Sequence, residues 1–199
     1  MIKNMLLSAF LTNIVYLGYN KHFTNSKMFI DLLGVRKSVF LHNLNTTFFN
    51  FRKVLNLMLN NWLRFGISWI VAPRNAIIAH YFPLYRKFYY LESILYFWLN
   101  KWRYGILTNM KQFSLLSTKL VYPSSLFYMN YTNNFMKLAE GENGGLLQFG
   151  IADSNSTRQY YTYLINANEK SSRSYLFFLN IILQLALRFT IRTKKSLLF

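Results

Sequence analysis

Apolar residues recur at a spacing of three to four along residues 46–66, which predicts an amphipathic α-helix. The apolar face of this helix is formed by Phe48, Phe51, Leu55, Met58, Leu59 and Trp62. Thr46 is the expected N-cap, because a threonine oxygen can accept a hydrogen bond from an unpaired amide of the first turn. Gly66 is the expected stop, since glycine commonly follows the last helical turn.

Short apolar runs predict the strands that accompany this helix. We expect strands at residues 38–42, 67–72, 88–91, 126–129 and 146–152. A turn at residues 73–75 leads into a second helix ending near Lys87, a short helix covers residues 133–139, and a flexible turn covers residues 141–145. Because strands alternate with helices, the pattern favours a parallel sheet covered on both faces.

The last third of the chain predicts one further α/β unit. The apolar run up to Ala152 ends in a cluster of short polar residues at 153–157, which is typical of a turn. A second apolar piece at 163–165 precedes a helix that Asn166 or Asn168 can cap, with Glu169 in its first turn. That helix is apolar almost all round from residue 175 to 191, and its polar residues form one narrow stripe: Asn180, Gln184, Arg188 and Arg192.

Composition limits the class of partner more than it limits the fold. The chain has 199 residues, enough for one domain, and 53% of them are hydrophobic, which argues against general disorder. Its 23 Lys and Arg residues outnumber 6 Asp and Glu residues, giving a net charge of +17. Such an excess indicates a polyanionic partner, either a nucleic acid or an anionic membrane surface. The absence of cysteine excludes disulfides, thiolate zinc sites and cysteine nucleophiles.

Membrane insertion and import are both disfavoured by the sequence. No uncharged apolar run reaches the roughly 18–20 residues that a spanning helix needs. Residues 1–19 lack both the compact apolar region of a secretory signal and the arginines of a mitochondrial presequence. The high content of Phe, Tyr, Asn, Lys and Ile indicates an AT-rich genome, so we expect an organellar protein made inside the organelle.

Catalytic and metal-binding chemistry has little support in this chain. The acidic residues are scattered, and Glu140 and Glu142 fall in the predicted flexible turn, where solvated charges are expected. His22, His42 and His80 show no metal-binding spacing, so each is expected to be a structural or RNA-adjacent histidine. Asp153 could be an active-site residue at a strand end, but without a neighbouring base or nucleophile it is better explained as a carboxylate that organises its loop. We expect no enzyme, no metal, no cofactor and no small-molecule substrate.

The C-terminal stretch resembles a known signature. I-A-D-S-N, followed by Y-x-I-x-x-N-E-x-x-x-R-S before a long apolar helix, is similar to V-D-T-N and Y-P-I-P-G-N-D-D-x-x-R-S of the small-subunit ribosomal protein S-two family. The matching positions are Asp153, Asn155, Tyr163, Ile165, Asn168 and Arg173. Leu164, Asn166 and Ala167 replace the two prolines and the glycine of the family, so the loop backbone can differ.

Two further blocks resemble the same family in the same order. Residues 15–47 align without a gap with V-H-F-G-H, N-P-K-M and G-V-R-N-G-x-x-I-I-D-L-x-K-T. The matches are Gly18, Asn25, Lys27, Met28, Gly34, Val35, Arg36, Leu44 and Thr47. Tyr19, Ser26 and Asn43 depart from that pattern. Residues 101–109 resemble R-W-L-G-G-x-L-T-N, and the matches are Trp102, Gly105, Leu107, Thr108 and Asn109. Bacterial relatives insert a long helical hairpin after this block. We expect that hairpin to be lost or reduced to a stub in this chain.

The resemblance implies a fold and a role. The fold is a flavodoxin-like α/β three-layer sandwich with a mainly parallel sheet: an N-terminal extended arm at residues 1–37, one domain at 38–192 and a basic tail at 193–199. The role is structural and non-catalytic, in the small subunit of a mitochondrial ribosome, with small-subunit rRNA and neighbouring ribosomal proteins as partners and no membrane span. The alternative is a basic peripheral subunit of an organellar membrane complex.

Two sets of residues are expected to carry this role. Arginine can hold a phosphate with two hydrogen bonds, and the basic residues cluster near the ends of elements. The candidate RNA-binding residues are Lys27, Arg36, Lys37, Arg74, Lys101, Arg103, Arg173, Arg188, Arg192, Lys194 and Lys195. The candidate structural-motif residues are Gly34, Trp102, Gly105, Thr108, Asn109, Asp153, Asn155 and Asn168.

Overall fold

Five parallel strands form the central sheet of the computed structural model, which describes residues 2–71, 94–98, 102–109, 121–130 and 135–197. The strands are β4 (Ser68–Val71), β5 (Leu95–Trp98), β6 (Ser125–Tyr128), β7 (Leu147–Ala152) and β8 (Tyr163–Asn166). Their order across the sheet is β5-β4-β6-β7-β8, and every neighbouring pair is parallel. This is the flavodoxin order, in which the first strand of the sheet lies between the second and the third. The predicted fold class is confirmed.

Alternate residues of the strands point into two separate apolar layers, because side chains of a strand alternate between faces. Ile70, Phe127 and Phe149 belong to one buried cluster, together with residues of two long helices, α2 (Leu44–Leu63) and α4 (Ser172–Leu197). Trp69 and Leu126 belong to a second cluster on the other face. That cluster includes Leu138 of a short helix, α3 (Phe135–Asn143). The sheet is therefore covered on both sides, which explains its continuous apolar strands.

The boundaries of α2 differ from those predicted. Its N-cap is Asn43, whose side-chain oxygen accepts a hydrogen bond from the Asn45 amide at 3.1 Å, so Thr46 as the N-cap is wrong. Thr46 lies inside the first turn and donates its hydroxyl to the Asn43 carbonyl at 2.8 Å. At the other end Phe65 adopts the left-handed conformation at φ 60°, and the Gly66 amide donates to the Asn61 carbonyl at 2.9 Å. This is a Schellman ending with the left-handed residue one position before the expected glycine.

The helix α4 carries the polar stripe that its sequence predicts. Asn180, Gln184, Arg188 and Arg192 are all exposed. Tyr175, Phe178, Leu179 and Ile182 are buried in the core. Among the described residues, α4 is the one helix that is long and apolar enough to cross a membrane, over Ser172–Thr193. Of its most apolar window, 44% is buried inside the fold. The helix also continues to Leu197, so most of the predicted tail is helical.

The N-terminal region contains more regular structure than an extended arm. Residues Ile2–Thr12 form α1, and the Phe10 ring lies 5.5 Å from that of Phe177, between ring centroids. A small antiparallel sheet follows, made of β1 (Leu17–Asn20), β2 (Leu32–Arg36) and β3 (Val39–His42) in the order β1-β3-β2. The strand predicted at residues 38–42 is thus present, but it joins this small sheet and not the parallel one. Burial of Phe10 accounts for the helix, whose own sequence pattern is weak.

The predicted turn at residues 141–145 can be compared with the structure, whereas the elements predicted at residues 73–91 cannot. The α3 helix extends to Asn143, into the predicted turn at 141–145. Gly145, with φ 62°, follows its end, and the Leu146 amide donates to the Gly141 carbonyl at 3.0 Å. The turn at 73–75, the helix to Lys87 and the strand at 88–91 lie outside the described residues. The strand β5 was not predicted.

The two candidate caps of α2 can be distinguished by mutation. We expect Asn43→Ala to lower the free energy of unfolding by about 1 kcal/mol, because it leaves first-turn amides without an acceptor. Thr46→Ala should lower the free energy of unfolding by less, since it removes only the hydrogen bond from the Thr46 hydroxyl to the Asn43 carbonyl. Urea unfolding of both variants measures the difference, and an equal or larger loss for Thr46→Ala would contradict the assignment.

Candidate nucleic-acid interface

A buried carboxylate organises the carboxyl ends of β7 and β8. Asp153 is 1% exposed and directly follows β7. It accepts hydrogen bonds from the Ser154 amide at 2.6 Å, the Ser154 hydroxyl at 3.1 Å and the Glu169 amide at 3.4 Å. His42 of β3 contacts the same carboxylate, with 3.1 Å between Nε2 and Oδ1. A buried charge needs such a full set of partners, so the loop conformation is fixed around it.

The N-terminal and C-terminal motif blocks meet at this carboxylate. The Tyr19 amide donates to the Ser154 hydroxyl at 2.8 Å, and the Asn25 amide donates to the Ser154 carbonyl at 2.9 Å. A Cβ at Gly18 would lie 3.0 Å from the Ser154 hydroxyl and 3.2 Å from an Asp153 oxygen. A side chain at position 18 would therefore press on the neighbouring segment.

Tyr19 adds the aromatic part of this junction. Its hydroxyl donates to Glu169 at 3.3 Å, and the Lys170 ammonium lies 3.7 Å from the centre of its ring. Burial of the phenol, followed by the negative charges of Glu169 and Asp153, raises the pKa of Tyr19 to about 12. Glu169 is buried and precedes α4, so its expected place in the first helical turn is wrong.

Further contacts stabilise the region around the ends of β7 and β8. Thr47 donates its hydroxyl to the Asn166 carbonyl at 2.6 Å, which joins α2 to β8. The Asn168 side chain accepts from the Lys170 and Ser171 amides at 3.0 and 3.1 Å, and so shapes the turn that enters α4. Arg158 forms an ion pair with the buried Asp31. Asn155 is half-buried, beside Ser156.

The central motif block is held by an acidic residue that the sequence did not indicate. Glu140 is fully buried in α3 and accepts from the Gly105 amide at 2.7 Å and from the Leu107 amide at 3.1 Å. The expectation of a solvated charge in a flexible turn is wrong for Glu140, and only Glu142 is exposed. Gly105 has φ 93°, which favours glycine, and its carbonyl accepts from the Asn109 amide at 2.7 Å.

The remaining motif residues surround this turn. Trp102 is half-buried, with its ring 5.5 Å from that of Trp98 and 5.9 Å from the Lys137 ammonium. Burial lowers the pKa of Lys137. Thr108 and Asn109 are exposed, as is Gly34 on β2, which has nothing within 4 Å of its Cβ position.

The clearest basic cluster lies at the tip of the β2–β3 hairpin. Lys37 and Ser38 have φ values of 47° and 64°, the geometry of a tight two-residue hairpin turn. Arg36 precedes this turn, and the Lys21 amide donates to the Ser38 carbonyl at 2.9 Å. Lys21, Arg36 and Lys37 are all exposed. We call these three residues the basic hairpin tip; sequence analysis missed Lys21 because its neighbours come from a different strand.

The other candidate RNA-binding residues are distributed over the surface. The exposed ones are Lys27, Arg103, Arg173, Arg188 and Arg192. Arg188 and Arg192 share one stripe of α4, whereas Arg36 and Lys37 lie on the β2–β3 hairpin of the small antiparallel sheet. Arg74 and Lys101 lie outside the described residues, and Lys194 and Lys195 lie on the last helical turns, where only the backbone is described.

In the part of the chain that the structure describes, most acidic side chains are buried and most basic side chains are exposed. Four of its carboxylates are buried: Asp31, Glu140, Asp153 and Glu169. Glu142 is the exposed acidic side chain of this part, while its Lys and Arg side chains are mostly exposed. No group of His, Asp or Glu residues in the described ranges could hold a metal ion. The site is therefore a cationic surface supported by internal carboxylates.

Comparison with known proteins agrees with the fold and the motif blocks. No family model matches the chain. It is 27% identical over 168 residues to the curated small ribosomal subunit protein uS2m of Acanthamoeba castellanii, which covers 84% of this chain and 53% of that protein. The chain thus spans about half the length of this relative.

The chain thus combines a flavodoxin-type sandwich with a cationic surface, and buried carboxylates hold its motif blocks in place. Its sequence is similar to that of a mitochondrial uS2 protein over most of its length.

Two glycines of the N-terminal motif block differ in the space around them, which gives a direct test of the junction. Gly18→Ala should lower the free energy of unfolding by about 1–3 kcal/mol, because the added methyl group presses on Ser154 and Asp153. Gly34→Ala should leave it unchanged or raise it by up to about 1 kcal/mol, because the methyl group meets open space. Urea unfolding checks both, and equal losses would contradict a tight junction at Gly18.

Glu140 and Glu142 provide a matched pair for the central block. Glu140→Gln should cost about 1.5–3 kcal/mol, since one of two charge-assisted hydrogen bonds is lost and an amide group faces a backbone donor. Glu142→Gln should change the free energy of unfolding by less than about 0.5 kcal/mol, because this side chain is exposed. Denaturant unfolding at neutral pH measures both, and a small loss for Glu140→Gln would contradict its structural role.

Proposed function

We propose that the chain is a structural component of the small subunit of the mitochondrial ribosome, where it binds small-subunit rRNA and neighbouring ribosomal proteins. The observation that carries the proposal is the separation of charge: the carboxylates of the described residues are mainly internal, and the cations face outward. A chain of net charge +17 repels itself unless an anion neutralises it. The phosphates of a folded RNA provide such an anion over a large surface.

The name of the Acanthamoeba relative supports the same assignment, since that protein is a small ribosomal subunit protein of the mitochondrial type. Exposed apolar residues near the basic hairpin tip support contacts with proteins as well as RNA. They are Phe23, Phe29, Ile30, Leu33 and Val35. An exposed apolar patch on a soluble domain is a common feature of protein–protein contact surfaces.

A non-catalytic role fits the use of the acidic groups. Asp153 and Glu140 accept hydrogen bonds from backbone amides, and Asp31 pairs with Arg158. Such carboxylates are occupied by structural partners and are not directed at a substrate. The role in translation that we propose is accordingly one of holding RNA and protein neighbours in place.

The basic hairpin tip gives the direct test. Neutralising it with Arg36→Gln and Lys37→Gln should reduce the fraction of the chain that sediments with small subunits. The salt dependence of RNA binding should also fall, by a slope of about 1.5–2 for two lost phosphate contacts. The matched control exchanges the two residues as Arg36→Lys and Lys37→Arg, which keeps both charges and should restore incorporation.

Two results would count against these assignments. Unchanged incorporation of the neutralised variant would remove Arg36 and Lys37 from the RNA interface. Recovery of the wild-type chain in detergent-extracted membranes, free of rRNA, would contradict the proposed function itself.

A further inference from the structure

A shallow cleft lies beside the outermost strand of the parallel sheet. The strand β8 is last in the sheet order, and no described strand pairs with its outer edge. The cleft has a volume of about 210 Å³ and is lined by Asn50, Arg158, Tyr161, Thr162, Tyr163 and Leu164. This is smaller than the roughly 300–1,000 Å³ of a pocket for a drug-sized ligand, so it suits a single flat group.

The lining of the cleft combines an aromatic face with hydrogen-bonding groups and contains no carboxylate. Tyr163 begins β8 with 36% of its surface exposed, so its ring is available at the edge of the sheet. Asn50 contributes an amide that can both donate and accept. Such a combination suits a nucleobase, which has a flat π face and a polar edge.

Cations surround the aromatic ring. The Lys53 ammonium lies 5.9 Å from the centre of the Tyr163 ring. Lys53 follows Asn50 by three residues on α2, so the two side chains lie on the same side of that helix. Arg158 pairs with Asp31 yet remains 41% exposed, and a guanidinium with five N–H donors can hold a second acceptor.

We propose that this cleft binds one unpaired nucleotide of RNA, with its base stacked on Tyr163 and its phosphate held by Lys53. The ammonium lies at the outer limit of about 6 Å for a cation–π contact, so its attraction to the ring is weak. It can leave the ring when a base covers that face and move to the phosphate. Asn50 then faces the hydrogen-bonding edge of the base. The identification of the RNA as rRNA rests on the proposed function.

An unpaired nucleotide fits this geometry better than a duplex. The bases of a duplex stack on one another, so their faces are closed to a protein ring, whereas an unpaired base offers its whole face. The electrostatic attraction to phosphates is common to both forms. If the cleft binds an unpaired base, the chain should prefer single-stranded RNA to duplex RNA, and this preference should depend on Tyr163.

The test uses the full-length chain with two probes, a ten-nucleotide oligouridylate and a ten-base-pair RNA duplex, measured by fluorescence anisotropy. Tyr163→Leu should weaken oligouridylate binding by about 5- to 100-fold and leave duplex binding unchanged, because stacking is lost and charge is kept. Tyr163→Phe should retain wild-type affinity for both probes. Lys53→Gln should lower the salt slope for the oligouridylate by about 0.7, as expected for one lost contact to a single strand.

Tyr104→Leu is the matched control, since Tyr104 is 73% exposed and is not part of the cleft. It should leave oligouridylate binding within about twofold of wild type, as expected for a residue that makes no contact with the base. Circular dichroism and thermal unfolding establish that each variant is folded. If Tyr163→Leu does not fold, Lys53→Gln serves as the second variant, and an unchanged salt slope in it would overturn the proposal.

Three further results would overturn the proposal: wild-type oligouridylate affinity in folded Tyr163→Leu, an equal loss in Tyr163→Phe, or an equal loss in Tyr104→Leu. These results leave the proposed function standing, because incorporation into small subunits is measured separately through the basic hairpin tip. Failure of the wild-type chain to associate with small subunits would instead remove the proposed function.

Discussion

The buried carboxylate of Asp153 is the constraint on which the rest of the arrangement depends. A charge in the protein interior is costly unless hydrogen bonds replace its water, and here two backbone amides, a hydroxyl and a histidine do so. His42, one of these partners, is 111 residues away in sequence. The carboxylate therefore joins the small antiparallel sheet to the end of β7. Because the basic hairpin tip belongs to that small sheet, its position relative to the parallel sheet also follows from this bond.

The same logic explains where the few acidic residues are placed. In the described ranges the buried carboxylates of Glu140 and Asp153 accept hydrogen bonds from backbone amides, and that of Asp31 pairs with the partly exposed Arg158. Most of the external positive charge is therefore not cancelled by acidic neighbours. Exposed ion pairs contribute little stability, so their absence costs the fold little. The two apolar layers, with their large aromatic residues, provide most of the stabilisation. The apolar core residues thus provide most of the stability, whereas exposed basic residues form the proposed binding surface.

Most of the parallel strands, though not β5, could be predicted from the sequence, because they are continuous apolar runs buried on both faces by helices. The runs at 67–72, 126–129 and 146–152 correspond to β4, β6 and β7. The N-cap of α2 could not be chosen reliably, because Asn43 and Thr46 are both good capping residues and only the backbone path separates them. Glu140 was misjudged because glycines follow it closely, while its partners, Gly105 and Leu107, are 35 and 33 residues away. Motif matching located Asp153, but it could not show that His42 would be its neighbour, because that pairing depends on the tertiary fold.

The length of α4 has a consequence for the end of the chain. Thr190 is the last buried residue among the side chains of α4 that the structure describes, and Ile191 is already 56% exposed. The helix continues to Leu197, which at 1.5 Å per residue adds roughly 10 Å of helix beyond Thr190. A flexible tail would lose about 1–2 kcal/mol of backbone entropy per residue on being immobilised. A segment that is already helical has lost most of this backbone entropy during folding. It can therefore bind a neighbour at a smaller entropic cost than a flexible tail.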